Sequence, residues 1–170
     1  SSEAGPSLYR IEVTIGKGNG AKILNHPVPP AFRESVKISE QNLYSRSKEL
    51  VGDRDPKSHE ISVQLRPMDH DKSGAGISLP VLVAFCSGLL EKSLQGGLIL
   101  VGALNLGGSV GTLTNAVSTV ELAIEKGAAK VLMPVSARKQ LMDLSDDMVT
   151  KINIQFYSDP SDALFKSFVE

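Results

Sequence analysis

The stretch GISLPVLVAFCSGLLEK, residues 76–92, is apolar on every side of a helical projection. Such a helix must be enclosed by other elements, because no face of it prefers water. It therefore constrains the rest of the chain, which has to supply enough strands and helices to surround it. With 170 residues, 41% of them hydrophobic and 22% charged, the chain can do this as one soluble domain without disulfides.

Alternation supplies the enclosing layers. Tyr9, Ile11, Val13 and Ile15 alternate with Arg10, Glu12 and Thr14, which predicts a half-buried strand; Ile61, Val63 and Leu65 repeat the pattern over 59–66. GKGNG at 16–20 predicts a hairpin turn into a short strand at 21–25, its glycines supplying positive φ. Pro29-Pro30 then opens one long helix, closed by Gly52. Phe32, Val36, Leu43 and Leu50 form its apolar stripe, opposite a face of Ser, Lys, Arg and Glu. Beyond the apolar helix, LILVG (98–102) is a continuous apolar run that predicts a central strand. Leu113, Val117, Val120 and Ile124 recur at helical spacing, with Gly127 just past the helix end. A strand at 129–134, a helix capped by Ser136 and running through Leu144, and a strand carrying Ile152, Ile154 and Phe156 follow. Asp159-Pro160 begins a closing helix with Leu164, Phe165 and Phe168 as its apolar face. The order predicts an α/β (α+β) fold, with a single domain over 8–170 and a disordered segment over 1–7.

Several function classes are disfavoured. Lys plus Arg (18) nearly balances Asp plus Glu (19), so no global field draws nucleic acid or an anionic membrane. Lys37, Arg46, Lys48, Arg138 and Lys139 read as solvated helix faces. GKGNG has the spacing of neither a dinucleotide fingerprint nor a Walker loop, so no nucleotide is expected in this domain. His26, His59 and His70 lie far apart without a Cys partner, which argues against a metal. Cys86 reads as a small core residue, and Asp146-Asp147 as solvated loop charges. No apolar run is long enough to span a bilayer and no signal peptide is evident. A lone cysteine fits a reducing compartment, so a cytoplasmic location is expected. The opening Ser1-Ser2-Glu3, without Met, reads as a fragment or processed chain.

The remaining candidate for chemistry is DKSGAGISLP, 71–80, a charged, glycine-broken turn running into the apolar helix. Here, and in VGALNLGGSV (101–110) and GAAKVLMP (127–134), the chain resembles the proteolytic domain of Lon proteases. That family places its nucleophilic Ser in a turn ending S-A-G before an apolar helix. Its central strand reads T-G-E-I-T-L-x-G-x-V, its base is the second Lys of G-G-L-K-E-K, and G-x-x-x-V-L-I-P follows. Ala75-Gly76-Ile77 matches the turn, Val101 to Val110 the strand, and Gly127 to Pro134 the later segment; Glu34-Ser35 and Ser45-Arg46-Ser47 resemble the upstream helix. A narrower likeness, in VGALNLGGSV, LMPVSARKQL and LSDDMVTKINIQFYSDPSDALFKS, is to the C-terminal Lon-like domain of the Lon-related protein of BREX phage-defence systems. The resemblance covers the chain from about Leu8 onward. It implies a Lon-like fold, an upstream AAA+ module that would hold any ATP, self-association into a ring, and DNA contact through other domains.

Carried over residue by residue, the Lon dyad is missing. Gly74 stands at the nucleophile position and Thr119 at the base position. A serine hydroxyl needs a neutral lysine or another base within reach, and a threonine hydroxyl is no base near neutral pH. Lys126 lies two turns further along the same predicted helix face, roughly 10 Å away at 1.5 Å per residue. Two readings follow: a silent assembly domain, or a rearranged serine peptidase. In the second, Ser73 is the nucleophile, the N–H groups of Gly74 to Gly76 form the oxyanion hole, and Lys72, Lys126 or a neighbouring subunit supplies the base.

Overall fold

The computed structural model describes residues 8–25, 27–67 and 76–169. The expected disorder of 1–7 falls outside them, as do Ser73, Gly74, Lys72, His26 and His70. The observed fold is the expected α/β mixture: two three-stranded sheets packed with helices.

The first sheet comprises β1 (Tyr9–Lys17), β2 (Gly20–Ile23) and β3 (His59–Pro67), in the order β1-β3-β2. This corrects the hairpin. β1 and β2 do not pair; β3 lies between them, antiparallel to β1 and parallel to β2. Gly16 and Gly20 are both registered on Glu60, so the turn straddles the first residues of β3. A Cβ at Gly18, where φ is +131°, would lie 2.9 Å from the Glu60 Oε2. The turn is glycine-rich because it crosses over a neighbouring strand.

The second sheet comprises β4 (Leu98–Leu100), β5 (Lys130–Pro134) and β6 (Asn153–Tyr157), all parallel in the order β4-β5-β6. LILVG is therefore an edge strand and β5 the central one. The burial agrees: Val131, Leu132 and Met133 are fully buried while all three residues of β4 are half-exposed.

Six α-helices are found among the described residues: α1 (Pro30–Ser45), α2 (Ser47–Val51), α3 (Ser78–Leu90), α4 (Ala116–Glu125), α5 (Asp146–Lys151) and α6 (Pro160–Ser167). The apolar helix behaves as expected, with nine of the thirteen residues of α3 buried. β1 lies tight against it: a Cβ at Gly88 would come within 2.9 Å of Ile15. Around α3 gathers one apolar cluster, which includes Phe32, Leu43, Val63, Leu79, Phe85 and Tyr157. A second cluster, with Ala116, Val120, Val131 and Met133 at its centre, lies between α4 and β5.

Other expectations need correcting. The long helix 30–51 is broken at Arg46, whose backbone leaves the helical region at φ −124°, ψ 27°. Arg46 is no solvated face residue; its Nη2 donates to the Gly107 carbonyl (2.7 Å) and holds the turn of the 104–110 bridge. The polar face of α1 is also partly buried at Ser35, Ser39 and Asn42. Ser136 lies within a 3₁₀ helix, Val135–Leu141, and does not cap it. Asp146 and Asp147 are exposed, as read, but form the first turn of α5 under a Ser145 cap. In α6, capped by Asp159 as read, Phe165 is 78% exposed, so Ala163, Leu164 and Ser167 form the buried face.

Candidate functional site

The turn before α3 ends at Gly76, where φ is +68°, a left-handed conformation that favours glycine. Ile77 follows as the N-cap of α3 with no side-chain cap, and its carbonyl accepts the Val81 N–H (3.1 Å). The mouth of α3 is fixed from below by a buried polar relay. Ser78 Oγ accepts the Leu104 N–H (2.7 Å), while Ser39 Oγ donates to the Ser78 carbonyl (2.6 Å). These bonds tie α1, α3 and the segment after β4 together at one point, in an interior where an unmet partner would cost about 1–3 kcal/mol.

Gly76 and Ile77 open into a cleft of about 730 Å³. Its walls are α3, the start of β1, the outer side of β4 and one face of α4. Asn115, Thr119, Leu122 and Lys126 form the α4 wall. Their spacing of four, three and four residues is one stripe of a helix. Gly76 and Ile77, at the mouth of α3, and Thr119 thus line one cavity. Lys126 also lies on the stripe where the sequence placed it, two turns beyond Thr119.

Thr119 itself is 5% exposed, and its hydroxyl donates to the Asn115 carbonyl of its own helix (2.9 Å). Its one proton is committed to the backbone, and no amine stands in its place. Lys126 is exposed and caps the end of α4, its N–H bonded back to the carbonyls of Ile124 and Leu122. Gly127 follows with φ +77°, as read from the sequence.

Two residues that hold the cleft in shape were not read from the sequence. Tyr157 is almost wholly buried at the end of β6, and its hydroxyl donates to the Val101 carbonyl (2.6 Å). Burial pushes its phenol well above the usual range. The contact is so close that a Cβ at Gly102 would lie 2.0 Å from the Tyr157 oxygen. Gln140 caps α4 from the 3₁₀ helix, its Oε1 accepting the Ala116 N–H (3.1 Å) while its Nε2 donates to the Leu113 carbonyl. Both act across more than 20 residues of sequence, so no local motif announces them.

The remaining chemically capable residues do not converge here. Cys86 is buried in α3, and desolvation pushes its thiol up to about 12, which leaves it protonated near neutral pH. His59 Nδ1 is engaged with the Asp55 carbonyl (2.8 Å). Among the described residues no three His, Cys, Asp or Glu side chains group as metal ligands. No helix of the described residues is long and apolar enough to cross a membrane.

Comparison with known proteins bears on this geometry. The family model described as subunit ChlI of Mg-chelatase matches residues 11–137, well over half of the chain. The chain is 27% identical over 165 residues to the "Lon-like protease BrxL" of Escherichia coli O9:H4 (strain HS), covering 94% of this chain and 23% of that protein. It is 22% identical over 160 residues to the "Lon-like protease BrxL" of Bacillus cereus (strain H3081.97), covering 94% and 24%. Against the "Lon protease" of Lawsonia intracellularis (strain PHE/MN1-00) it is 26% identical over 170 residues, covering 98% and 20%. The chain thus spans about a quarter or less of the length of these curated relatives. On the extent of the family match and the agreement of these relatives, this chain belongs to the ChlI family and is Lon-like over nearly its whole length.

Proposed function

We propose that this chain is the C-terminal Lon-like domain of a larger AAA+ phage-defence protein, that its cleft does not hydrolyse peptides, and that its role is assembly of a ring. In this reading residues 8–170 act as one domain, ATP belongs to the upstream module, and any DNA contact is made by other parts of the protein. The observation that carries the proposal is Thr119. The Lon register assigns it the base position, and it is a buried hydroxyl whose proton is given to the Asn115 carbonyl. Proton abstraction from a serine needs a neutral amine or comparable base in hydrogen-bond reach. Lys126, roughly 10 Å along the helix from that position at 1.5 Å per residue, is too far to serve a nucleophile at the mouth of α3. Exposed Leu106, Met142 and Phe165 give the surface apolar ground for contacts between copies.

The test has two arms. Incubation of the purified chain with unfolded casein and with short fluorogenic peptides should release no product. Native mass measurement of the chain joined to its ATPase module should give a closed oligomer. A monomer there sinks the assembly role, and turnover abolished in Ser73→Ala sinks the silent one.

A further inference from the structure

Away from the cleft, a chain of polar contacts joins three elements into one surface. Arg46 donates to the Gly107 carbonyl and lies 3.8 Å from Glu49, and Glu49 accepts the Ser161 hydroxyl (2.6 Å). The 104–110 turn, α2 and α6 therefore stand side by side. At one end of this row Leu106 is 71% exposed; at the other is the exposed Phe165, one helical turn beyond Ser161. Both knobs sit on fixed backbone. Under Leu106 the Gly108 N–H donates to the Asn105 carbonyl (3.0 Å), and the Ser109 N–H to Asn105 Oδ1 (3.2 Å). Phe165 rides on a helix whose other face is buried. An apolar side chain held in this way loses little freedom when it is covered.

A hollow lies elsewhere, formed by β6, α5 and the 3₁₀ helix Val135–Leu141. Ile154 and Phe156 line it, together with the exposed Met142 and Val149. Its volume is about 260 Å³. Ligand pockets run from roughly 300 to 1,000 Å³, so this one suits a side chain better than a small molecule. Arg138 is its one charged lining residue, with the guanidinium 4.9 Å from the centre of the Phe156 ring.

Strand alternation puts the knobs and the hollow on opposite faces of the β4-β5-β6 sheet. Leu132 and Tyr157 point into the cluster that also takes Leu50 of α2 and Leu164 of α6. Val131, Met133 and Phe156 point into the other, which takes Ala137 of the 3₁₀ helix and Met148 of α5. Charge follows the same division. The knob face exposes Glu49 and Asp159, while its cation Lys166 is taken by Asp162 (3.0 Å). Beside the hollow, Arg138 and Lys139 are exposed and have no ion pair with a described residue. Complementary surfaces on opposite faces of one chain join copies head to tail, and such a contact closes into a ring where the rotation allows.

We propose that these are the two halves of one contact between copies: Phe165 of one chain enters the hollow of the next, Leu106 packs on its rim, and Arg138 faces Glu49 and Asp159. The inference rests on the assembly reading and names the surfaces that carry it. Phe165 is the anchor because a buried aromatic at the centre of a contact carries a large share of its energy, and here it meets the ring of Phe156.

The test is cross-linking of the chain joined to its ATPase module, with reactive cysteines removed outside the test positions. One batch carries Phe165→Cys and the other, differently tagged, Met142→Cys; both positions are exposed, so the fold tolerates them. After subunit exchange a short bis-maleimide should link the two tags. Neither batch alone should cross-link, and a chain carrying both substitutions should give a ladder ending at the closed ring. Arg138→Glu on the Met142→Cys chain should lower the mixed yield about tenfold. An oligomer by native mass without the mixed cross-link overturns this pairing of surfaces and leaves assembly standing. Links between two Phe165→Cys chains, as strong as the mixed ones, overturn it in favour of a two-fold contact. A monomer by native mass removes the pairing and the assembly role together.

Discussion

α3 and α4 wall the same cleft, yet they are built on different terms. α3 is buried on nearly every side, and almost any change in it is felt by the sheet, α1 and α6 packed around it. α4 buries only Ala116, Thr119, Val120 and Ala123 and leaves a stripe toward the cavity. On the silent-site proposal, the mouth of α3 keeps its form because the packing around α3 demands it. Thr119 on α4 is buried too, so a lysine there would have to be packed as well as held neutral. In that reading shape persists on one wall while the reactive group is missing from the other.

The sharpest way to break the comparison is at the hinge between the two walls. Gly102→Val places a side chain where the Tyr157 hydroxyl now lies, at a backbone φ of +153°. Overpacking and strain together should cost about 4 kcal/mol, read as a lower urea midpoint. Tyr157→Phe in the same chain should recover part of that loss. Next comes the contrast itself. Phe85→Ala in α3 should cost about 3–5 kcal/mol, because it empties a fully buried site. Leu122→Ala on the α4 stripe, half-exposed to the cleft, should cost under about 1.5 kcal/mol. Equal losses at the two positions would erase the distinction between the walls.

A subtler effect is set by pH. Burial raises the Cys86 thiol from 9.0 to about 12, so the folded chain keeps a proton that the unfolded chain releases above pH 9. The associated stability is present in full below pH 9 and is lost as pH rises toward 12. Cys86→Ala should show a shallower decline in urea midpoint over that window than wild type. The smallest effect is expected at Thr119→Val. It keeps the shape, and the hydroxyl it removes is bonded only to a carbonyl of the same helix. The change should stay within about 1 kcal/mol, read from the urea midpoint.

What could be read from sequence follows the same division. α3 was legible because an unbroken apolar surface has one physical outcome. The positive φ of Gly127 and the Asp159 cap were legible because each is a local rule. The hairpin was misread because β3, which separates β1 from β2, is supplied some 40 residues later and leaves no mark in GKGNG. LILVG reads as a central strand because an apolar run signals only a tendency to burial, whereas in the fold all three residues of β4 are half-exposed along the cleft. At the site, the register placed Thr119 and Lys126 on the face where they stand. Tyr157, Gln140 and the break at Arg46 act across the fold and carry no local signature.

The central claim is that the cleft has kept its form and lost its reaction, and covalent labelling tests it most directly. Wild type, Ser73→Ala and the double variant Gly74→Ser/Thr119→Lys are treated with a fluorophosphonate probe and resolved on one gel. The account predicts no labelling of wild type or Ser73→Ala. It predicts slow labelling of the double variant, in which the lysine, set at the buried Thr119 position, is held neutral by desolvation. Labelling of wild type that disappears in Ser73→Ala would contradict it.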